Sequence, residues 1–339
     1  MKALIFSDPH LTNKNIKHDE NGEIYFPVFD KILEIAQAEE VDYIFNLGDT
    51  FHTKDNVQNT LLAVYRNFLL TATKLGFKVI QLVGNHDFAR DDYKYHSLQN
   101  FEHIPNVTTV DKYFKLGNNF FVSYCREKER LFDFLKEAGG CTRLFGHLDL
   151  NGFSLGDDYI EKHAEINPED LKFEQIISGH YHEPQDKMIG ESEFYYVGSP
   201  STIDFGESDQ EKRVLILDLD DGYIDSIPTD MTFHRNFKIK ANEPFPEINE
   251  HPDHHYRVVV EGTKEELSVM EKPNNYPAKI IEKYVASDKK RIDLKIEDTH
   301  ENILKTYIKE ELKKNFPNHS YSLEELEKFG RRYINLAKG

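Results

Sequence analysis

The stretch Phe77-Lys-Val-Ile-Gln-Leu-Val-Gly-Asn-His-Asp87 joins a short apolar run to three polar residues. The apolar run is typical of a buried parallel strand, and Gly84 ends it where the backbone must turn tightly. In open α/β sheets, ligands bind outside the carboxyl ends of the strands. Asn85, His86 and Asp87 are therefore predicted to lie where chemistry is carried out. Taken alone this is a weak signal, because Asn, His and Asp are also ordinary loop residues.

The same construction recurs at four other predicted strand ends. Strands predicted over residues 2–7, 41–47, 141–145 and 173–178 are followed in turn by Asp8 and His10, by Asp49 and His52, by His147, and by His180 and His182. Helices predicted over Pro27–Ala38 and Asn59–Lys74 separate the first three strands. This alternation favours βαβ units and a largely parallel sheet. Later strands follow one another more closely, so a second, more antiparallel sheet packed on the first is expected.

The composition indicates a globular protein without a membrane span. The chain has 339 residues, of which 12% are aromatic and 30% are charged. It contains no apolar run near the roughly 18 residues that a span needs. The two cysteines, Cys125 and Cys141, are too few for a disulfide framework, and we expect a cytoplasmic protein. The net charge of −18 predicts weak binding of DNA by the chain alone, unless metal ions or a partner supply positive charge.

The last hundred residues differ from the rest in their pattern of predicted elements. Residues 235–297 are predicted to form a small α+β capping module with strands over Tyr256–Glu261 and Arg291–Ile296. Residues 298–339 are predicted to form a tail of two amphipathic helices, the second opened by a capping box of Ser322 and Glu325. Either the tail packs on its own domain, or it docks a helix of a partner. Three histidines in a linker rich in Glu and Pro are interpreted as solvated: His251, His254 and His255.

Seven side chains at the predicted strand ends form a set of metal ligands: Asp8, His10, Asp49, Asn85, His147, His180 and His182. Two carboxylates, one amide and four imidazoles suit divalent metals of intermediate hardness such as Mn²⁺, with Fe or Zn as alternatives. Seven ligands are too many for one ion with an open position. They fit two ions ~3.5 to 4 Å apart that share one carboxylate. Any one of these residues alone has a structural explanation, because buried polar groups often only satisfy hydrogen bonds.

The motifs that carry these residues resemble those of the calcineurin-like metallophosphoesterase superfamily: Asp8-x-His10, Gly48-Asp49, Gly84-Asn85-His86-Asp87, Gly146-His147 and Gly179-His180-x-His182. Other segments are similar to the SbcD branch of that superfamily: Gly48 to His52, the spacing from His147 to Gly152, and Gly198-Ser199-Pro200 with Phe205-Gly206-Glu207. That branch comprises nuclease subunits of double-strand-break repair complexes, including recombination endonuclease subunits of T-even-like phages. The motifs cover residues 8–207, and the remaining chain matches in layout only.

The resemblance implies an α/β fold and a division of the metal ligands. We expect a four-layer α-β-β-α sandwich of two mixed sheets over residues 1–234, followed by the capping module and the tail. Asp8, His10, Asp49 and His182 would hold one Mn²⁺. Asp49, Asn85, His147 and His180 would hold the other, so that Asp49 bridges the two ions.

The resemblance also implies catalytic roles and partners. His86 would donate a proton to the leaving oxygen, Asp87 would help to orient His86, and His52 would lie beside the phosphate. The expected function is Mn²⁺-dependent hydrolysis of DNA phosphodiesters as exonuclease and endonuclease. The expected assembly is a homodimer with a coiled-coil SMC-like ATPase, bound through residues 298–339.

Two other functions compete with this interpretation. A phosphodiesterase or phosphoprotein hydrolase of the same superfamily would need neither the module nor the tail. A non-catalytic scaffold would be recognised by missing metal ligands, and none of the seven is missing from the sequence.

Overall fold

The computed structural model describes residues 1–90, 93–156, 159–251, 254–285, 322, 325, 326 and 328. Within these residues the strands of the first half are β1 (Lys2–Phe6), β2 (Lys17–His18), β3 (Ile24–Tyr25), β4 (Tyr43–Asn46), β5 (Lys78–Leu82), β6 (Val107–Val110), β7 (Tyr113–Leu116), β8 (Asn119–Val122) and β9 (Arg143–His147). The later strands are β10 (Ser154–Gly156), β11 (Tyr159–Ile160), β12 (Gln175–Gly179), β13 (Gln185–Ile189), β14 (Ser192–Tyr196), β15 (Arg213–Asp218), β16 (Ile224–Pro228), β17 (His234–Lys240), β18 (His255–Gly262) and β19 (Lys279–Tyr284).

Four α-helices occur in the described residues up to 285: α1 (Pro27–Ala38), α2 (Asn59–Lys74), α3 (Lys128–Leu135) and α4 (Lys264–Val269). Pro27 occupies the first turn of α1, where its fixed φ suits a helix and its missing N–H is not needed. The apolar residues of α2 recur at helical spacing and are buried along one side. Both helices have the bounds predicted from the sequence.

The first large sheet has the strand order β16-β15-β1-β4-β5-β6. The pairs β1 with β4, β4 with β5 and β5 with β6 are parallel, as the βαβ pattern predicts. The pairs of β15 with β1 and with β16 are antiparallel. The carboxyl ends of β1, β4 and β5 therefore meet at one edge of this sheet.

The second large sheet has the strand order β13-β14-β12-β9-β8-β7. Its three inner pairs are parallel, and only the two outer pairs, β13 with β14 and β7 with β8, are antiparallel. The expectation of a more antiparallel second sheet was wrong, because both sheets have three parallel and two antiparallel pairs. The scarcity of helices in this half misled the prediction. Strands β9 and β12 are parallel although the described residues between them contain no α-helix.

Three buried apolar clusters show how the layers are stacked. One cluster lies between the first sheet and helices α1 and α2. A second joins the facing sides of the two sheets through residues such as Phe45, Phe121 and Phe145. The third covers the far side of the second sheet and includes Leu131 of α3. This arrangement confirms the predicted four-layer α-β-β-α sandwich of two mixed sheets.

The packing divides the chain into two compact units. The first contains Met1–Lys238, Phe245–Val259 and Pro273–Ile281. The second contains Ile239–Pro244, Val260–Lys272 and the described residues from Glu282 onward. Strands β17, β18 and β19 form a three-stranded sheet in that order. The domain bounds at residues 234 and 297 stay a prediction.

The predicted capping box of the tail is present. The Ser322 amide donates to Glu325 Oε2 at 2.8 Å, and the Glu325 amide donates to Ser322 Oγ at 3.2 Å. The strand predicted over Arg291–Ile296 and the first tail helix lie outside the described residues. No helix within the described part of the chain is both long enough and apolar enough to span a membrane.

Candidate metal centre

The seven predicted ligands come together at one place, where the ends of five strands meet. Asp8 and His10 follow β1, Asp49 follows β4, and Asn85 follows β5. His147 ends β9, while His180 and His182 follow β12. Donor atoms lie within 4.8 Å of one another in three groups: Asp8, His10 and His182; His10, Asp49 and His86; and Asp49, His147 and His180.

Four of these residues have an uncommon backbone conformation. Asp8, His10, Asp49 and His180 have φ angles of 54°, 42°, 52° and 92°. A positive φ costs energy for any residue with a Cβ, and such residues cluster at functional sites. The left-handed turns direct side chains from successive strand ends toward a common point. The sequence pattern placed these residues at strand ends but gave no sign of this strain.

Two glycines allow the strand ends to approach closely. A Cβ at Gly84 would collide with the carboxylate and backbone of Asp49. A Cβ at Gly179 would collide with Ser7 Oγ and would lie 3.0 Å from Asp8 Oδ2. Glycine is therefore required at both positions for steric reasons, which explains its place in the motifs before Asn85 and His180.

Two carboxylates are buried at the centre of the site. Asp8 is 0% exposed and accepts the His180 amide, and Asp49 is 2% exposed and accepts the His86 amide at 2.8 Å. Burial raises the pKa of Asp8. Burial would also raise the pKa of Asp49, but His147 and His10 hold it well below its ordinary value. Neither carboxylate has a Lys or Arg partner within the described residues, and divalent cations at this point would compensate both charges.

The histidine rings are oriented by hydrogen bonds on their outer nitrogens. His147 Nδ1 lies 2.8 Å from the carbonyl oxygen of Leu47, which leaves Nε2 facing Asp49 Oδ1 at 3.3 Å. Burial alone would lower the pKa of His147, but Asp49 and Asp8 raise it to about 9. Burial and the neighbouring His147 lower the pKa of His180 to about 3. Only a neutral imidazole binds a metal, so metal binding would release the proton of His147.

Asn85 joins two of these rings. Its Oδ1 lies 2.9 Å from His147 Nε2 and 2.9 Å from His180 Nδ1. His10 Nε2 and His182 Nε2 lie 3.0 Å apart on the other side of the centre. Nitrogen and oxygen donors that converge in this way fit divalent cations, which would separate and satisfy them. The donor set therefore fits two divalent ions, and the division of ligands between them stays a prediction.

A buried ion pair behind His182 was not predicted. Glu207 Oε1 lies 2.8 Å from His182 Nδ1, and Glu207 Oε2 lies 2.8 Å from Lys212 Nζ. Lys212 also donates to Ser199 Oγ at 2.8 Å and to the His182 carbonyl at 3.0 Å. The sequence contains one signal for this network, because Glu207 belongs to the Phe205-Gly206-Glu207 motif, to which no role had been assigned.

The three residues predicted to be catalytic lie beside the predicted metal ligands. His86 and His52 have ring centroids 5.8 Å apart, and they lie 4.9 Å and 5.3 Å from the His10 ring. His86 Nδ1 is 2.7 Å from the His52 carbonyl oxygen, so a proton there leaves Nε2 for chemistry. His86 also belongs to one of the three donor groups, and its role outside the metal ligands stays a prediction.

Asp87 contacts the backbone. Its carboxylate accepts the amides of Gly84 at 3.0 Å and of Thr50 and Phe51 at 3.3 Å each. Burial and the charge of Asp49 raise its pKa to about 7. These bonds tie the loop after β5 to the loop after β4. The Asp87 carboxylate makes no hydrogen bond to the His86 ring, so its predicted role in orienting His86 is not supported by a direct contact. The His86 ring is held instead by the carbonyl oxygen of His52.

Comparison with known proteins gives a family and two distant relatives. Residues 1–184 match the calcineurin-like phosphoesterase family. A DNA double-strand break repair protein Mre11 from Thermoplasma acidophilum is 21% identical over 65% of this chain and 62% of its own. The Mre11 protein of Methanosarcina acetivorans is 24% identical over 63% of this chain and 36% of its own. The chain thus spans less than two thirds of the length of these relatives.

Solved structures show weaker likeness. A phosphoesterase from E. coli, 16% identical, covers 68% of this chain and 100% of its own with a TM-score of 0.35. Likeness at that level adds nothing to the strand order and layers described above.

Proposed function

Because the chain belongs to the calcineurin-like phosphoesterase family, we propose that it is a metal-dependent nuclease that hydrolyses phosphodiester bonds of DNA. The observation that carries this proposal is the convergence of Asp8, Asp49, Asn85 and four histidines at the strand ends. The substrate is inferred from the two relatives, both of which are named as DNA double-strand break repair proteins. Mn²⁺ is proposed as the metal, since the donor set combines hard carboxylates with imidazoles.

In this mechanism two bound divalent ions would activate a water molecule and neutralise the charge of the phosphate. Asp49 lies at the centre of the donor groups and is proposed to contact both ions. Hydrolysis consumes one water and breaks one P–O bond, so the leaving oxygen needs a proton. His86 Nε2 is proposed to supply it, with Nδ1 fixed by the His52 carbonyl. The His52 side chain is exposed next to His86 and is proposed to contact the phosphate.

The assembly is part of the same proposal. By resemblance to the SbcD branch, the chain is proposed to act as a homodimer with a coiled-coil SMC-like ATPase in the cytoplasm, including that of a host cell if a phage encodes it. Residues 298–339 are proposed to dock that partner, and residues 235–297 to form the capping module. The net charge of −18 supports a need for a partner, because the chain alone would repel DNA.

The test is Mn²⁺-dependent cleavage of linear and circular double-stranded DNA by the purified chain, with and without the partner ATPase and ATP. His86→Ala is expected to lower kcat by about 10²- to 10⁴-fold, because a general acid contributes that much. His103→Ala, at an exposed histidine outside the site, is the matched control. Comparing linear with circular DNA separates exonuclease from endonuclease activity.

Two other outcomes would contradict the nuclease proposal. Rapid turnover of a small phosphodiester, without cleavage of DNA in any condition, would assign the site to a small-substrate phosphodiesterase. Failure to hydrolyse either substrate with Mn²⁺ bound would favour the scaffold.

A further inference from the structure

A pocket of about 680 Å³ opens beside the candidate metal centre. All its lining residues belong to the first of the two compact units. Three lysines, Lys14, Lys17 and Lys279, contribute to its wall, and we call it the lysine pocket. None of the residues assigned above as metal ligand or catalytic group lines it. It is therefore a separate cavity.

The lysine pocket has a charge opposite to that of the chain. The chain has 60 Asp and Glu residues against 42 Lys and Arg, yet the described lining of this pocket contains no carboxylate. Asp204 and Glu207 act electrostatically on His234 in the wall, but neither lines the cavity. Within the described residues the ammonium groups of Lys14 and Lys279 form no ion pair. Such a wall attracts an anion.

Aromatic and imidazole rings form much of the remaining wall. Phe205 and His234 have ring centroids 5.0 Å apart, and His234 and His255 are 5.2 Å apart. His234 is held through Nδ1, which is 3.1 Å from the Thr202 carbonyl oxygen. Phe233 and Tyr256 add two more rings to the lining. Rings next to cationic groups favour a ligand that carries both a planar heterocycle and a phosphate.

Two connections attach this wall to the metal ligands. Asn15, which lines the pocket, donates through Nδ2 to the carbonyl oxygen of His10 at 3.2 Å. On the other side, Glu207 Oε2 accepts the amide of Ile203, a lining residue, at 3.0 Å. Oε1 of the same carboxylate is 2.8 Å from Nδ1 of His182. A ligand in the pocket would therefore lie next to the half of the site formed by His10 and His182.

We propose that the lysine pocket binds a nucleotide of the DNA strand adjoining the cleaved phosphodiester, with its base against the rings of Phe205 and His234 and its phosphate facing Lys14 and Lys279. This inference rests on the proposed nuclease function, since it names where part of that substrate binds. Lysines contact every phosphate equally, and stacking accepts every base. The pocket thus holds the strand in register without selecting a sequence.

The first test measures binding by the full chain stripped of metal with EDTA, so that no ion in the catalytic site attracts phosphate. Isothermal titration would compare 2′-deoxyadenosine 5′-monophosphate, deoxyribose 5-phosphate and inorganic phosphate. The mononucleotide is expected to bind at least roughly fivefold tighter than the sugar phosphate, because a base stacked on an aromatic side chain supplies that much. Equal affinity for all three compounds, or no binding, would overturn the proposal.

Variants separate the two parts of the pocket. Lys14→Ala combined with Lys279→Ala is expected to weaken binding of all three compounds several-fold. Phe205→Leu is expected to weaken binding of the mononucleotide alone. Lys74→Ala removes an exposed lysine at the end of α2 and is the matched control. Loss of affinity in the control equal to that in the double variant would overturn the proposal.

The outcome does not depend on the nuclease assay. Mononucleotide binding without any cleavage of DNA would refute the nuclease function while leaving a nucleotide site. Cleavage of DNA without mononucleotide binding by the stripped protein would refute the lysine pocket alone. The comparison of ligands on the unaltered chain decides the question even if a variant fails to fold.

Discussion

Glu207 contacts His182, one of the predicted metal ligands, from a position 25 residues further along the chain. Its two oxygens are used differently, one for His182 Nδ1 and the other for Lys212 Nζ. The Lys212 side chain is 0% exposed, so its charge depends on Glu207. A carboxylate that holds the outer nitrogen of a histidine fixes the tautomer and strengthens the inner nitrogen as a ligand. We therefore propose that Glu207 is a positioning residue of the candidate metal centre.

We predict that Glu207→Gln weakens the binding of Mn²⁺ roughly tenfold, because residues that hold metal ligands typically contribute 10- to 100-fold. The glutamine retains a hydrogen-bond acceptor for His182 but removes the charge. Equilibrium dialysis against Mn²⁺ would measure the affinity, and circular dichroism would show that the variant is folded. Glu191→Gln, at an exposed position, is the control. Unchanged Mn²⁺ affinity in a folded Glu207→Gln protein would contradict the assigned role.

Glu207 also predicts a pH dependence of stability. Burial would raise its pKa, but the hydrogen bond to His182 and the charge of Lys212 lower it to about 2, from an ordinary value of 4.5. A carboxyl whose pKa is lower in the folded state contributes stability that is present above pH 4.5 and is lost as the pH falls through 2. In EDTA, the difference in unfolding free energy between wild type and Glu207→Gln should shrink as the pH falls from 5 toward 2. A constant difference in urea titrations across that range would refute this prediction.

At the scale of elements, helix α2 is joined to the first sheet by a buried polar network. The Tyr65 hydroxyl donates to Gln81 Oε1 of β5 at 2.7 Å and accepts from Asn46 Nδ2 of β4 at 3.1 Å. Asn46 Oδ1 in turn accepts the Gly48 amide at 3.2 Å. The network thus connects the helix to the turn that presents Asp49. Buried networks of this kind are favourable only while every member is satisfied.

Tyr65→Phe is predicted to lower the free energy of unfolding by about 1 to 3 kcal/mol, because it leaves the Gln81 acceptor and an Asn46 donor buried without a partner. Urea denaturation followed by circular dichroism would measure the change. Tyr223→Phe removes a hydroxyl from a side chain that is 68% exposed and should change stability by less than about 0.5 kcal/mol. Equal effects of the two substitutions would show that the network adds nothing to stability.

The sequence predicted the central strands of both sheets and missed most of the edges. Strands such as β1 and β15 are buried over most of their length and contain continuous apolar runs. The edge strands β6, β7 and β13 were not predicted, and β16 was implied only by the turn Asp220-Asp221-Gly222. Their burial is partial, as in the alternating pattern of β13, so polar residues interrupt their apolar residues and no long apolar run forms.

The convergence of the seven predicted ligands could be predicted because each lies at or soon after the end of a buried strand, and local sequence decides where such a strand ends. The partners of those ligands were not predictable. Lys212 meets the His182 carbonyl across 30 residues, and that approach depends on how β15 lies beside β1 in the folded sheet. The lysine pocket was missed for the same reason, since Lys279 lies far from Lys14 and Lys17 in the sequence. His254 and His255 were interpreted as solvated linker residues, yet both line this pocket.

At the scale of the whole molecule, the candidate metal centre joins the two sheets. Asp8, His10, Asp49 and Asn85 follow strands of the first sheet, while His147, His180 and His182 belong to the second. Without cations the buried carboxylates oppose this arrangement, because burial disfavours charge. Bound ions would therefore stabilise the contact between the sheets as well as supply catalysis.

Mn²⁺ is accordingly predicted to raise the melting temperature of the whole chain. At a concentration about 100 times the dissociation constant, a ligand that binds only the folded state adds ~2.7 kcal/mol. For a domain of this size each kcal/mol shifts Tm by about 2 to 4 °C, so a rise of about 5 to 10 °C is expected.

Asp49→Asn should lose most of this rise in melting temperature, because Asp49 belongs to two of the three donor groups. Asp133→Asn removes an exposed carboxylate and should keep the full rise. Scanning calorimetry of wild type, Asp49→Asn and Asp133→Asn, each with EDTA and with Mn²⁺, would measure the rise in melting temperature. An equal rise in both variants would show that the ion binds elsewhere on this acidic chain.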